Sequence, residues 1–175
     1  MIKETTPGNL VIAENIPEEL TERPQWVCWR LQEREGKPTK VPYTPGTIRR
    51  ASSTDLMTWR TFEEAFAAYE FGFDDLSDIE HGEPSYDGIG FAFSDGDPFC
   101  GVDLDKCRDP ETGDIAPWAR EILARVGDGY IEVSPSGTGV HIIIRASVRD
   151  GFHRRGPVEM YSRGRYFTIT GRLLS

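Results

Sequence analysis

The apolar positions of this chain fall into short runs separated by polar turns, and their period changes along its length. "PQWVCWRL" (24–31) has the apolar density of a buried strand, and "REGKPTK" is a polar turn into a second short strand, "KVPY". "ASSTDLMTWRTFEEAFAAYEFG" reads as a helical segment. Thr61 and Glu64 have capping-box spacing ahead of Phe62, Phe66 and Tyr69, and Gly72 ends the run. Residues 74–87 are acidic and rich in turn formers, which predicts a surface loop. "GIGFAFS" (88–94) and "FCGVDLD" (99–105) predict a hairpin joined by "DGDP". "APWAREILARV" (116–126) is an amphipathic helix with Pro117 in its first turn. "YIEVSPSG" and "VHIIIRA" are strands around the Gly-rich "SGTG", and "VEMYS" with "RYFTITG" predicts a closing hairpin that turns at Arg163-Gly164. Few helices among many strands predict an α+β (α/β) fold with a largely antiparallel sheet, unlike the regular alternation of a doubly wound fold.

Composition narrows the class. At 175 residues the chain has the length of one domain able to bury a real core. No apolar run approaches the ~18–20 residues of a membrane span. "MIKETTPGNL" lacks the apolar stretch of a secretory signal, so a cytoplasmic protein without membrane contact is expected. The three cysteines, Cys28, Cys100 and Cys107, form no CxxC pair, which favours reduced thiols over a disulfide frame or a zinc site. A net charge of −9 argues against nucleic acid until its distribution is read. Residues 1–62 carry +1, residues 63–132 carry −15 and residues 133–175 carry +5, so an acidic middle precedes an arginine-rich end. Such a division suits metal in one place and phosphate in another.

Three pieces carry chemistry. In "GVDLDKC" (101–107), Asp103 and Asp105 are one residue apart, so on a strand both carboxylates face one way and Leu104 the other. Side by side they repel unless a cation lies between them, and a hard divalent ion takes such oxygens. Strand-end aspartates that cap the next loop are the rival reading. "SPSGTGVH" (134–141) offers small and hydroxylated residues with backbone N–H groups of the kind that cradle phosphate, and His141 opens the strand that follows. It is not a Walker loop, and a plain hairpin turn needs no ligand. Glu159 is an isolated carboxylate in the apolar "PVEMYS", held either by a metal or by Arg163 or Arg165. Seven arginines follow residue 144, and their planar forks suit phosphates. Trp26, Trp29 and Trp59 are core packing before they are base-stacking platforms.

In this order the motifs resemble the primase–polymerase (prim-pol) domains of the archaeo-eukaryotic primase superfamily, as found at the N-terminus of phage and plasmid replication proteins. The resemblance runs from "RPQWVCWRLQEREGKPTKVPYTP" through "GVDLDKCRDPETGDIAPWAREIL" and "SPSGTGVHI" to "EMYSRGRYFTITG". It implies an RRM-like catalytic part over 88–175 beside an N-terminal α/β unit over 1–87. The family's metal acids fall on Asp103, Asp105 and Glu159. Its phosphate-contacting turn falls on Ser136, Gly137, Thr138, Gly139 and His141, with Lys40 and Arg165 as further nucleotide-binding candidates. Two Mg²⁺ or Mn²⁺ ions, dNTP or NTP, and a DNA template and primer are the implied cofactors and partners. The chain stops at "GRLLS", where relatives continue into a helicase or a helical priming region, so an N-terminal fragment of a longer replication protein is expected. Two other classes compete with the polymerase. One is a degenerate prim-pol fold that binds nucleotide or nucleic acid without turnover. The other is a D-x-D glycosyltransferase, which gives no reason for "SGTGVH" or "EMYS".

Overall fold

Residues 10–72 and 86–175 are described by a computed structural model of the chain. The strands are β1 (Trp26–Arg34), β2 (Lys37–Tyr43), β3 (Gly88–Ala92), β4 (Phe99–Leu104), β5 (Tyr130–Val133), β6 (Val140–Arg145), β7 (Phe152–Arg155), β8 (Val158–Tyr161) and β9 (Tyr166–Ile169). The helices are α1 (Glu18–Thr21), α2 (Phe62–Phe71) and α3 (Pro117–Val126). One sheet has the order β2-β1-β3-β9 and the other β5-β6-β4-β8-β7, with antiparallel neighbours throughout. The fold is α+β.

Alternation along β4 decides what each face of the second sheet meets. Cys100, Val102 and Leu104 point to α3 and share a cluster with Ala119, Val140 and Ile142, so the apolar stripe of α3 covers that face. Phe99 points the other way, into a core shared with Trp26, Phe91, Phe93, Ile143 and Phe167. The two sheets therefore close on a common aromatic interior, where Phe93 and Phe167 meet edge to face at 5.2 Å. Gly101 sits at the tightest approach: a Cβ there would stand 2.6 Å from both the Phe167 and the Phe93 rings.

Several local expectations hold. Helix α2 begins with both halves of the capping box, Thr61 accepting from the Glu64 N–H and Glu64 accepting from the Thr61 N–H, and Gly72 terminates it. Helix α3 opens on Pro117. Strands β5 and β6 form the expected hairpin, and the three cysteines are free and buried. Others need correction. The segment before α2 is a short 3-10 turn, Leu56–Thr58, because Asp55 caps Met57 and the chain then bridges back to Trp26. β2 starts at Lys37, since Glu35 and Gly36 alone make the turn, both at positive φ. The two predicted hairpins, β3 with β4 and β8 with β9, do not form. In each pair the strands lie in different sheets, so each intervening turn carries the chain from one sheet to the other. The predicted acidic loop lies, for residues 74–85, outside the described residues. Its end does not: Tyr86 is fully buried, with its hydroxyl donating to the Thr47 carbonyl.

Candidate active site

The register of the second sheet lines up five side chains. Glu132 lies opposite His141, His141 opposite Asp103, Asp103 opposite Glu159, and Glu159 opposite Arg154. One cross-strand row thus reads acid, imidazole, acid, acid, guanidinium. Because alternate residues share a face, the row lies on the side away from α3, with Asp103 and His141 at the rim of the inter-sheet interior. Asp105 follows one residue after the end of β4, exposed, with its N–H donated to the Pro157 carbonyl.

His141 is held tightly. Its Nδ1 lies 3.0 Å from the Thr168 carbonyl and 3.3 Å from Glu132 Oε1, and its ring stacks on Phe167. Both neighbours of Nδ1 are acceptors, so Nδ1 carries a hydrogen and Nε2 is the nitrogen aimed at Asp103, 4.0 Å away. Glu132 is fully buried and its other oxygen accepts from Tyr130 Oη, the Thr170 N–H, Thr170 Oγ1 and the Gly171 N–H. That saturation is what makes a buried carboxylate tolerable.

Asp103, His141, Lys40 and Arg165 line one cleft of about 210 Å³, together with Tyr161 and Thr168. Lys40 crosses from the other sheet, its ammonium over the Trp29 ring and 3.5 Å from Thr168 Oγ1. Burial pushes its pKa down, against the pull of Asp103 and Glu132. Burial pushes the Asp103 pKa up, His141 and Lys40 oppose this, and the Asp105 and Glu159 charges add to it. Glu159 is paired, but with Arg154 at 2.9 Å rather than with either arginine expected from the sequence. Arg163 instead pairs with Asp95, and Arg165 lies over the Phe152 and Tyr161 rings.

The turn expected to cradle phosphate is set apart from this cleft. Ser136 and Gly137 line a different one. The N–H groups of Gly137, Thr138 and Gly139 are donated inside the turn, to the Ser134 carbonyl, Ser136 Oγ and Ser134 Oγ. Gly139 is buried, and a Cβ there would stand 2.9 Å from the Leu104 carbonyl, so its lack of a side chain lets the turn close on β4. Trp26, Trp29 and Trp59 are all buried, with each indole N–H bonded to a backbone carbonyl, and take no part in a surface platform.

As a cation site, the row offers hard oxygen donors, and the Asp105 and Glu159 charges add to the burial that raises the Asp103 pKa. Among the described residues no three His, Cys, Asp or Glu side chains close into a ready-made cage. The donor set fits an open site of the Mg²⁺ type, which uses one or two carboxylates and keeps waters and substrate oxygens, and it does not fit a closed structural site.

The antiparallel α+β scaffold is of the class that the prim-pol resemblance implies, and it sets Asp103 opposite Glu159. The chain is 35% identical over 153 residues, 84% of its length, to the DNA primase-polymerase of Nitratiruptor phage NrS-1. This makes it a homologue of a phage primase-polymerase and bears out the resemblance. It spans only 19% of that relative. No family model matches the chain.

Sequence reasoning missed Glu132 and Arg154. Both become visible once register is counted. The β5–β6 hairpin around "SPSGTG" pairs Val133 with Val140, so the next pair outward is Glu132 with His141.

Proposed function

We propose that this chain is the catalytic domain of a template-dependent DNA polymerase/primase, adding dNTPs or NTPs to a primer. The observation that carries the reading is the Glu132–His141–Asp103–Glu159 row, which sets carboxylates and a fixed imidazole beside Lys40 and Arg165. Asp103, Asp105 and Glu159 would hold two divalent ions of the Mg²⁺ or Mn²⁺ class. Bound there, such ions supply activation of a primer 3′-hydroxyl and neutralisation of the triphosphate. The reaction joins the primer 3′-oxygen to the α-phosphorus, breaks the bond to the β-phosphate oxygen and releases pyrophosphate. Lys40 and Arg165 set positive charge where the departing phosphates gather it, and His141 presents Nε2 to the same space. Glu132 and the Thr168 carbonyl keep that ring from rotating. The contribution of these residues is positioning and charge stabilisation. A helicase or helical priming region is proposed as the partner in a longer replication protein.

The Arg154–Glu159 pair favours a second reading, a nucleotide-binding module without turnover, because it occupies one of the three acids. The Arg154 side chain is 62% exposed, and exposed pairs contribute about 0–1 kcal/mol, so a cation can displace it at little cost. The deciding experiment is extension of a labelled primer–template with dNTPs or NTPs and Mg²⁺ or Mn²⁺, beside Asp103→Ala. Extension by the wild type that drops at least 100-fold in Asp103→Ala is the expected result. A folded wild type that is protected by nucleotide yet extends nothing would leave the binding module as the function.

A further inference from the structure

A second cationic site lies at the tip of the β5–β6 hairpin. Arg108, Arg172, Thr112, Ser136 and Gly137 line a cleft of about 610 Å³ that shares no residue with the Asp103 cleft. Arg108 Nη1 donates to the Gly137 and Asp109 carbonyls at 3.0 and 3.3 Å, which fixes the guanidinium along the wall. Arg172 Nη2 donates to the Ser134 carbonyl at 3.1 Å, while its Nε is buried without a partner. Among the described residues neither guanidinium is in an ion pair, whereas Arg145, Arg154 and Arg163 are paired with Glu19, Glu159 and Asp95.

The nearby acids, Asp109 and Glu132, are hydrogen-bonded to other groups, while their charges still act on Arg108 and Arg172. Asp109 Oδ1 accepts the Glu111 and Thr112 N–H groups, and Glu132 is saturated as described. Two guanidiniums close enough to repel are therefore fixed by hydrogen bonds to backbone carbonyls and not by a paired carboxylate. Burial and the Arg108 charge lower the Arg172 pKa, and the Glu132 charge opposes them. A fixed pair of planar forks that, among the described residues, is in no ion pair is a receptor for an oxyanion with several acceptor oxygens, and phosphate is the usual one.

We propose that the Arg108–Arg172 cleft seats a backbone phosphate of the DNA strand bound by this chain. The assignment rests on the polymerase reading in one respect: the triphosphate is already given to the Asp103 cleft, so a phosphate at the hairpin tip belongs to the nucleic acid. This cleft anchors the strand and takes no part in the chemistry.

The test measures fluorescence anisotropy of a labelled single-stranded oligonucleotide across a NaCl series. It compares the wild type with Arg108→Ala, Arg172→Ala and Thr112→Glu. The last keeps both guanidiniums and adds a negative charge at the cleft, so it stands in if an arginine variant fails to fold. Each variant is expected to bind several-fold more weakly, and each arginine variant to lower the magnitude of the log K versus log[salt] slope by about 0.7. The thermal upshift given by dNTP with Mn²⁺ stays at the wild-type value. Unchanged oligonucleotide affinity and slope in folded variants, or no binding by the wild type, would overturn the proposal. So would a lost dNTP upshift with DNA binding intact, which would give the cleft to the nucleotide. Primer extension by the wild type is scored separately, so failure of the cleft and failure of the polymerase reading give different results.

Discussion

At the scale of single residues, Asp103 is a carboxylate placed where its charge is costly. Burial and the neighbouring Asp105 and Glu159 charges raise its pKa above the ordinary 3.8, more than His141 and Lys40 lower it. A carboxyl with a raised folded pKa binds its proton more tightly in the native state than in the unfolded chain. Native stability therefore falls as pH rises from the unfolded pKa through the folded one, and the penalty is full above that window. Asp103→Asn removes the charge with little change of shape, so in metal-free buffer at pH 7 it should unfold at higher urea than the wild type. The difference should close as the pH is lowered toward the unfolded value. Millimolar Mn²⁺ should raise the wild-type melting temperature and leave Asp103→Asn unmoved. Paired urea and thermal melts check both, and a variant less stable than the wild type at pH 7 would sink the argument. Asp103, His141 and Glu159 were legible in the sequence because each is a polar residue at a fixed place in an apolar strand or beside a Gly-rich turn. Glu132 and Arg154 were not. Each looks like a strand residue of ordinary charge until its cross-strand partner is known.

At the scale of elements, alternation was legible and pairing was not. The period-2 pattern of "FCGVDL" correctly sends Leu104 to the α3 face and Asp103 to the other, because side-chain direction is a local property of a strand. Which strand lies beside it is non-local. Short turns such as "DGDP" suggest hairpins, yet Asp97 ties that turn to Gln25 as well as to Ser94 and Phe99, and so the turn is anchored to the first sheet while β4 leaves for the second. The turn at Gly164 has the same role between β8 and β9, one strand in each sheet. These crossings let Lys40 of β2 meet Asp103 of β4. Gly101 is the residue that permits the two sheets to approach so closely. Gly101→Ala should destabilise the fold by about 1–3 kcal/mol, the usual cost of overpacking, because the added methyl meets two aromatic rings, Phe93 just after β3 and Phe167 on β9. On the polymerase reading it should also weaken primer extension, since Phe167 is the ring on which His141 stacks. Urea melts and primer extension on the same preparation check this, and unchanged stability would mean that the two sheets separate more easily than their shared core implies.

At the scale of the whole molecule, the proposed function asks the chain to bind a polyanion while carrying a net charge of −9. It can do so only if its positive charge is concentrated and left unneutralised where the strand runs. Arg145, Arg154 and Arg163 are partnered by carboxylates and so release little on meeting a phosphate. Lys40 and Arg165 in the Asp103 cleft, and Arg108 and Arg172 at the hairpin tip, are not in ion pairs among the described residues and line the two clefts assigned to phosphates. Lys40 and Arg165 face the triphosphate, so Arg108 and Arg172 are the two of these that meet the strand; at about 0.7 per contact on single-stranded DNA they give a slope of about −1.4. Binding of a short oligonucleotide should then weaken by roughly 7-fold, four to the power of about 1.4, between 50 and 200 mM NaCl. A slope steeper than about −6 would mean that further exposed arginines of the basic C-terminal third engage the backbone together. A slope near zero would mean that the acidic middle repels the strand as strongly as the hairpin-tip cleft attracts it.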